Sequence, residues 1–195
     1  MPAATRVRKS SNTKPMNIFL VGYMYSGKTT LGKHLAHRLG YSFADTDQMV
    51  EERCHTTIAT LFQKYGEKAF RQIEQQVLQS TQTLTDTIIA TGGGLPCFQD
   101  NMEWINRHGL SVYIHMDEDA ICARAAASKK SRPLLANLTP EERRVFIARQ
   151  LSERKVYYEQ ASLTVEGFDS DIENITSAII THLNERLPET SPSNH

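Results

Sequence analysis

The run Gly22-Tyr23-Met24-Tyr25-Ser26-Gly27-Lys28-Thr29 constrains this chain more than any other feature, because it fits the pattern G-x-x-x-x-G-K-[ST]. Before it lies Asn17-Ile18-Phe19-Leu20-Val21, an apolar run of the length of a strand buried on both faces. After it, Leu31, Leu35, Ala36 and Leu39 recur at helical spacing, and Gly40 stands where a helix stops. A buried strand leading through glycines into an amphipathic helix is the setting in which this pattern cradles phosphate. Glycines let consecutive N–H groups turn inward, the helix N-terminus adds positive potential, Lys28 reaches the terminal phosphates, and Thr29 offers a hydroxyl to Mg²⁺.

The same alternation continues. Ser42-Phe43-Ala44 reads as a second strand ending at Asp45, expected beside the first, and helical patterns follow over Asp47 to Cys54, Thr57 to Tyr65 and Glu67 to Gln82. Thr87-Ile88-Ile89-Ala90-Thr91 is a third strand, Leu110 to His115 a fourth and Leu163-Thr164-Val165 a fifth. Helices are expected around Asn101 to His108, over Asp117 to Ala127, and from Thr139-Pro140-Glu141-Glu142 to about Gln160. The last of these opens with a cap, a proline at the first helical position and a capping-box glutamate. Ser170-Asp171-Ile172-Glu173 repeats the capping box before a final helix. Strands alternating with helices predict an α/β fold, a five-stranded parallel sheet flanked by helices, with ligands at the carboxyl ends of the strands.

Lys+Arg and Asp+Glu are equal at 22 each, so no global field favours nucleic acid or an anionic membrane, and neither is expected as a partner. No apolar run approaches the roughly 20 residues of a membrane span. Cys54, Cys97 and Cys122 are odd in number and far apart, which suits a reducing cytoplasm. Within the 195 residues, 1–15 read as a disordered basic arm, 16–186 as a single domain with a lid near 128–139, and 187–195 as a loose tail.

Four further segments carry chemistry. In Asp45-Thr46-Asp47, residues two apart in extended chain would point the same way, one carboxylate holding Mg²⁺ through water while the other takes a proton; alternatively one Asp caps the next helix. Gly92-Gly93-Gly94 offers bare backbone to a ligand, or makes a tight turn. Arg71 and Glu74, three apart on a helix, are a surface pair or a guanidinium clamp for a carboxylate. The basic stretch Ser128-Lys129-Lys130-Ser131-Arg132-Pro133 suits a loop closing over phosphates. His34 and His37 lack a third ligand of metal-binding spacing, and Trp104, Tyr157 and Tyr158 read as packing.

Taken in order, the phosphate loop with Leu31-Gly32, Asp45-Thr46-Asp47, Gly66-Glu67 with Phe70-Arg71 and Glu74, Gly92-Gly93-Gly94, Arg132-Pro133-Leu134-Leu135, and Arg154 with Tyr157 or Tyr158 and Ala161 resemble the shikimate kinase family. The resemblance implies a P-loop kinase fold of the nucleoside-monophosphate-kinase type. It also implies transfer of the ATP γ-phosphate to the 3-hydroxyl of shikimate on the route to chorismate and the aromatic amino acids. By that likeness Asp47, Lys28 and Arg132 would be catalytic, and Tyr25, Ser26, Gly27, Lys28, Thr29, Thr30 and Arg132 would bind ATP. Asp47, Arg71, Glu74, Gly92, Gly93, Gly94 and Arg154 would bind shikimate, with Phe62 and Phe70 along the pocket, while Thr29 and, through water, Asp45 would hold Mg²⁺. A monomer in the cytoplasm with ATP and shikimate as its partners is expected. Tyr25 departs from the family, which usually has a small residue there, and Glu166 to Asp171 lacks the basic residue that some members place beside adenine. Kinases of gluconate or of nucleoside monophosphates would share the fold, and a kinase-like regulatory module is a rival of another class.

Overall fold

The central strand β1 (Asn17–Val21) is buried along its whole length, as its apolar run Ile18-Phe19-Leu20-Val21 requires, since both faces of the sheet are covered. Parallel strands β3 (Thr87–Ala90) and β4 (Gly109–His115) flank it, β2 (Ser42–Asp45) forms one edge and β5 (Leu163–Glu166) the other, giving the order β2-β3-β1-β4-β5. These observations come from a computed structural model that describes residues 16–128, 135, 138–167 and 172–186. The anticipated arm at 1–15, the tail at 187–195 and most of the basic stretch, Arg132 included, lie outside the described residues.

Successive side chains of a strand face opposite ways, and the two cores divide accordingly. Ile18 and Leu20 join Leu31 and Leu35 of α1 (Lys28–Leu39) and Ile179 and Leu183 of α7 (Ile172–Arg186) on one face. Phe19 and Val21 pack on the other against α4 (Asn101–His108), α5 (Glu118–Ala127) and α6 (Pro140–Tyr158), through Ile105, Ile121 and Ile147. A third cluster of Val50, Leu61, Phe70 and Val77 joins α2 (Thr46–Cys54) to α3 (Ile58–Ser80) beside the sheet.

Several boundaries follow local chemistry. Gly40 ends α1 in the left-handed region, its N–H returning to the Ala36 carbonyl. Thr139 and Glu142 complete the reciprocal capping box that opens α6. The two helical patterns on either side of Gly66 form one bent element, with Gly66 at φ 75° and ψ 174°, a backbone region reserved for glycine.

Strand order corrects one expectation. β2 pairs with β3, so β3 separates it from β1. Sequence neighbours in a parallel sheet need not be spatial neighbours, because the crossover helices between strands span more than one position.

Candidate active site

The phosphate loop is shaped by contacts that its sequence alone does not display. Gly22 has φ 140°, and a Cβ there would lie 2.8 Å from the Ile114 carbonyl oxygen, so glycine is required. Lys28 is buried, and its Nζ donates to the carbonyls of Gly22 and Tyr23 at 2.8 Å each and to Ser26 Oγ at 3.4 Å. The ammonium therefore curls over its own loop. At the start of α1 no side chain caps the helix and no acid occupies the first turn, which leaves positive potential for an anion.

Tyr25 holds φ 67°, a conformation costly for a side chain of this size. Arg124 of α5 holds it there, donating 3.2 Å to the Tyr25 carbonyl and 3.0 Å to that of Gly167, and so ties the phosphate loop to the end of β5.

At the end of β2 the capping reading of Asp45 is realised. One carboxylate oxygen caps α2 by accepting the Asp47 N–H at 3.0 Å, and the other accepts the Thr29 hydroxyl at 3.0 Å. Asp47 is consequently in the first turn of a helix and not in extended chain, so the pair is not aligned by strand pleating as expected.

The glycine loop after β3 meets this acid pair. Thr46 Oγ1 accepts the Gly92 N–H at 2.9 Å. A Cβ on Gly92 would lie 2.5 Å from Asp47 Oδ1 and 2.8 Å from Glu74 Oε1, and one on Gly94 would lie 2.5 Å from Arg71 Nη2. Only bare backbone leaves room for those groups. On α3, Arg71 is 9% exposed and Glu74 2%, so theirs is no surface pair. Arg71 donates to Glu74 at 2.5 Å and to Glu67 at 3.1 Å. Arg154 of α6 lies over the ring of Tyr23, 5.6 Å from its centroid.

Most of these groups line one cavity of about 810 Å³. Of the residues expected at the site, Tyr25, Gly27, Lys28, Thr29, Thr30, Asp45, Asp47, Arg71, Glu74, Gly92, Gly93, Gly94 and Arg154 line it, with Phe62 and Phe70. Ser26 touches it through Lys28 alone. Sequence reasoning missed Arg124, Thr46 and Tyr158, whose hydroxyl donates to the Gly93 carbonyl at 2.5 Å. The spacing of Tyr158 one helical turn after Arg154 was the available signal for it; Arg124 and Thr46 carry none. His34 is turned away toward Glu173, 3.0 Å distant, and Trp104 stacks on His108.

Burial pushes the Glu74 carboxyl up from 4.5 to about 7, against the pull of Arg71 and with help from the negative charge of Asp47. A carboxyl raised in this way binds more protons folded than unfolded between those two values. Its contribution to stability therefore falls as pH rises from about 4.5 to about 7. Urea titrations across that range should show a shallower decline for Glu74→Gln than for the wild type. An unchanged slope would mean that the carboxyl stays ionised on Arg71 throughout.

Comparison with known proteins agrees with this geometry. The family model described as shikimate kinase matches residues 24–184. A shikimate kinase of Parabacteroides distasonis is 41% identical over 167 residues, covering 84% of this chain and 96% of that protein. The crystal structure of the shikimate kinase from Bacteroides thetaiotaomicron superposes with a TM-score of 0.83 at 37% identity, covering 88% of this chain and 99% of the other. That of the Acinetobacter baumannii shikimate kinase in complex with shikimate gives 0.79 at 32% identity, covering 89% and 96%. With the family match running from the phosphate loop into the last helix, and relatives aligned over most of both chains, the chain belongs to the shikimate kinase family.

Proposed function

We propose that this cavity transfers the γ-phosphoryl group of ATP to the 3-hydroxyl of shikimate, yielding shikimate 3-phosphate for the synthesis of chorismate and the aromatic amino acids. The observation that carries the reading is the presence, in one cavity with the phosphate loop, of two guanidinium groups, Arg71 and Arg154, and two acids, Asp47 and Glu74. A small polyhydroxylated carboxylate needs cations for its carboxylate and acceptors for its hydroxyls. Asp47 takes the proton of the attacking hydroxyl, Arg71 and Arg154 hold the carboxylate, and the backbone of Gly92, Gly93 and Gly94 binds the acceptor. Glu74 orients Arg71 and closes the acceptor side.

Tyr25, Ser26, Gly27, Lys28, Thr29 and Thr30 hold the ATP phosphates, and Lys28 exchanges its loop carbonyls for phosphate oxygens. The oxygens of Thr29 and Asp45, 3.0 Å apart at the cavity wall, are hard donors of the kind Mg²⁺ takes beside phosphates and water. Bound there, Mg²⁺ would neutralise charge on the phosphates. Arg132 is assigned to the same task on the transferred group by resemblance. Phosphoryl transfer asks for positioning and charge neutralisation more than for a nucleophile, and this donor set meets that demand. The reading extends to a cytoplasmic monomer of one domain, in keeping with Cys54, Cys97 and Cys122 all being free. No described helix is long and apolar enough to cross a membrane.

The test is ADP release from Mg-ATP with shikimate, gluconate, a nucleoside monophosphate or no acceptor. Turnover with shikimate alone is the expected result; turnover only with another acceptor would remove the roles given to Arg71 and Arg154.

A further inference from the structure

Tyr158 does not line the cavity, is fully buried and packs its ring beside Tyr113, with centroids 5.2 Å apart. A buried phenol needs a partner for its hydroxyl. Here it donates to the Gly93 carbonyl at 2.5 Å, and the charge of Arg154, one turn earlier on α6, acts on the same hydroxyl. On its far side Gly93 abuts the phosphate loop, since a Cβ there would lie 3.1 Å from Met24 N and 3.6 Å from the Gly22 oxygen.

The Gly93–Gly94 peptide is thus held at one end. Peptide bonds are trans throughout the described residues, and across a trans peptide the C=O and N–H point in opposite directions. With the Gly93 carbonyl turned onto Tyr158, the Gly94 N–H turns away from it. That N–H makes no hydrogen bond among the described residues, and Gly94 lines the cavity against Arg71. A donor on the cavity lining with no partner among the described residues is open to a ligand.

We propose that Tyr158 is a positioning residue for the phosphoryl acceptor, its one hydroxyl setting both the Gly94 N–H and the Arg154 guanidinium toward the acceptor's oxygens. The inference rests on the reading of the cavity as a shikimate site. Tyr158 acts on acceptor binding while standing outside the cavity, and it does nothing for the nucleotide.

Tyr158→Phe keeps the ring and removes the hydroxyl. Its KM for shikimate should rise about tenfold, while its KM for ATP and its melting temperature without ligand stay close to wild type. Tyr113→Phe, beside it in the same cluster, controls for loss of any buried phenol and should leave both KM values alone. An unchanged shikimate KM in Tyr158→Phe, or parallel rises in both KM values, would overturn the proposal. Should that variant not fold, wild-type protein labelled with ¹⁵N-glycine decides the matter: the Gly94 amide resonance must move on titration with shikimate, and an unresponsive amide overturns the proposal. Wild-type turnover with shikimate is measured alongside; its absence would sink the shikimate reading itself, whereas a Tyr158→Phe enzyme with wild-type KM sinks only the role of Tyr158.

Discussion

Asp47→Asn should lose turnover by roughly 10²–10⁴-fold, the range for removal of a general base, while the Kd for ATP changes little. The substitution is nearly isosteric. Its backbone N–H is still held by Asp45, so the start of α2 and the Thr29–Asp45 contact persist. What disappears is the charge beside Gly92 and Glu74, where a Cβ on the glycine would come within 2.5 Å of Asp47 Oδ1. Steady-state kcat and a separate nucleotide titration divide the two effects. Loss of ATP binding in proportion to kcat would show that Asp47 serves the phosphate loop and is not the base.

Arg71→Ala should weaken shikimate binding by about 2–5 kcal/mol, the loss for truncating one partner of a buried, hydrogen-bonded charge pair, with ATP binding unaffected. The guanidinium is committed at both ends, to Glu74 and to Glu67, so it is already oriented before any ligand arrives. Removing it also leaves Glu74 buried without its cation, and the carboxyl will answer by taking a proton, since burial already holds it near 7. Stability should therefore fall less than for a group unable to neutralise itself. Calorimetric titration of shikimate and of ATP, with a urea melt on the same protein, separates the two losses. An unaltered shikimate affinity would return Arg71 to a structural ion pair.

Much of the element order is legible in the chain because its signals are local. The Thr139–Glu142 capping box, the glycine after α1 and the uninterrupted apolar strands each act within a few residues. The sheet order is not local, and the placement of β2 beside β1 failed for that reason. The extended reading of Asp45-Thr46-Asp47 failed because a capping aspartate turns the chain into a helix at once. Charged residues at motif spacing, such as Lys28, Asp47 and Arg71, stand out in the chain as candidates, and the structure brings all three to the cavity. Thr46 and Arg124 do not stand out, because each works by holding the backbone of a segment 46 or 99 positions away, and nothing in their own neighbourhood records that.

The interposed strand β3 also sets a length. Neighbouring strands lie about 4.8 Å apart, so the end of β1, which feeds the phosphate loop, and the end of β2, which bears the acids, are separated by about 10 Å. Between them the chain leaves β3 as Thr91-Gly92-Gly93-Gly94, with no side chain beyond the threonine to fill the interval. The sheet thereby acts as a ruler: Asp47, Glu74 and Arg71 take up the room beside these glycines, and their distance from the phosphate loop is set by backbone spacing before any side chain moves.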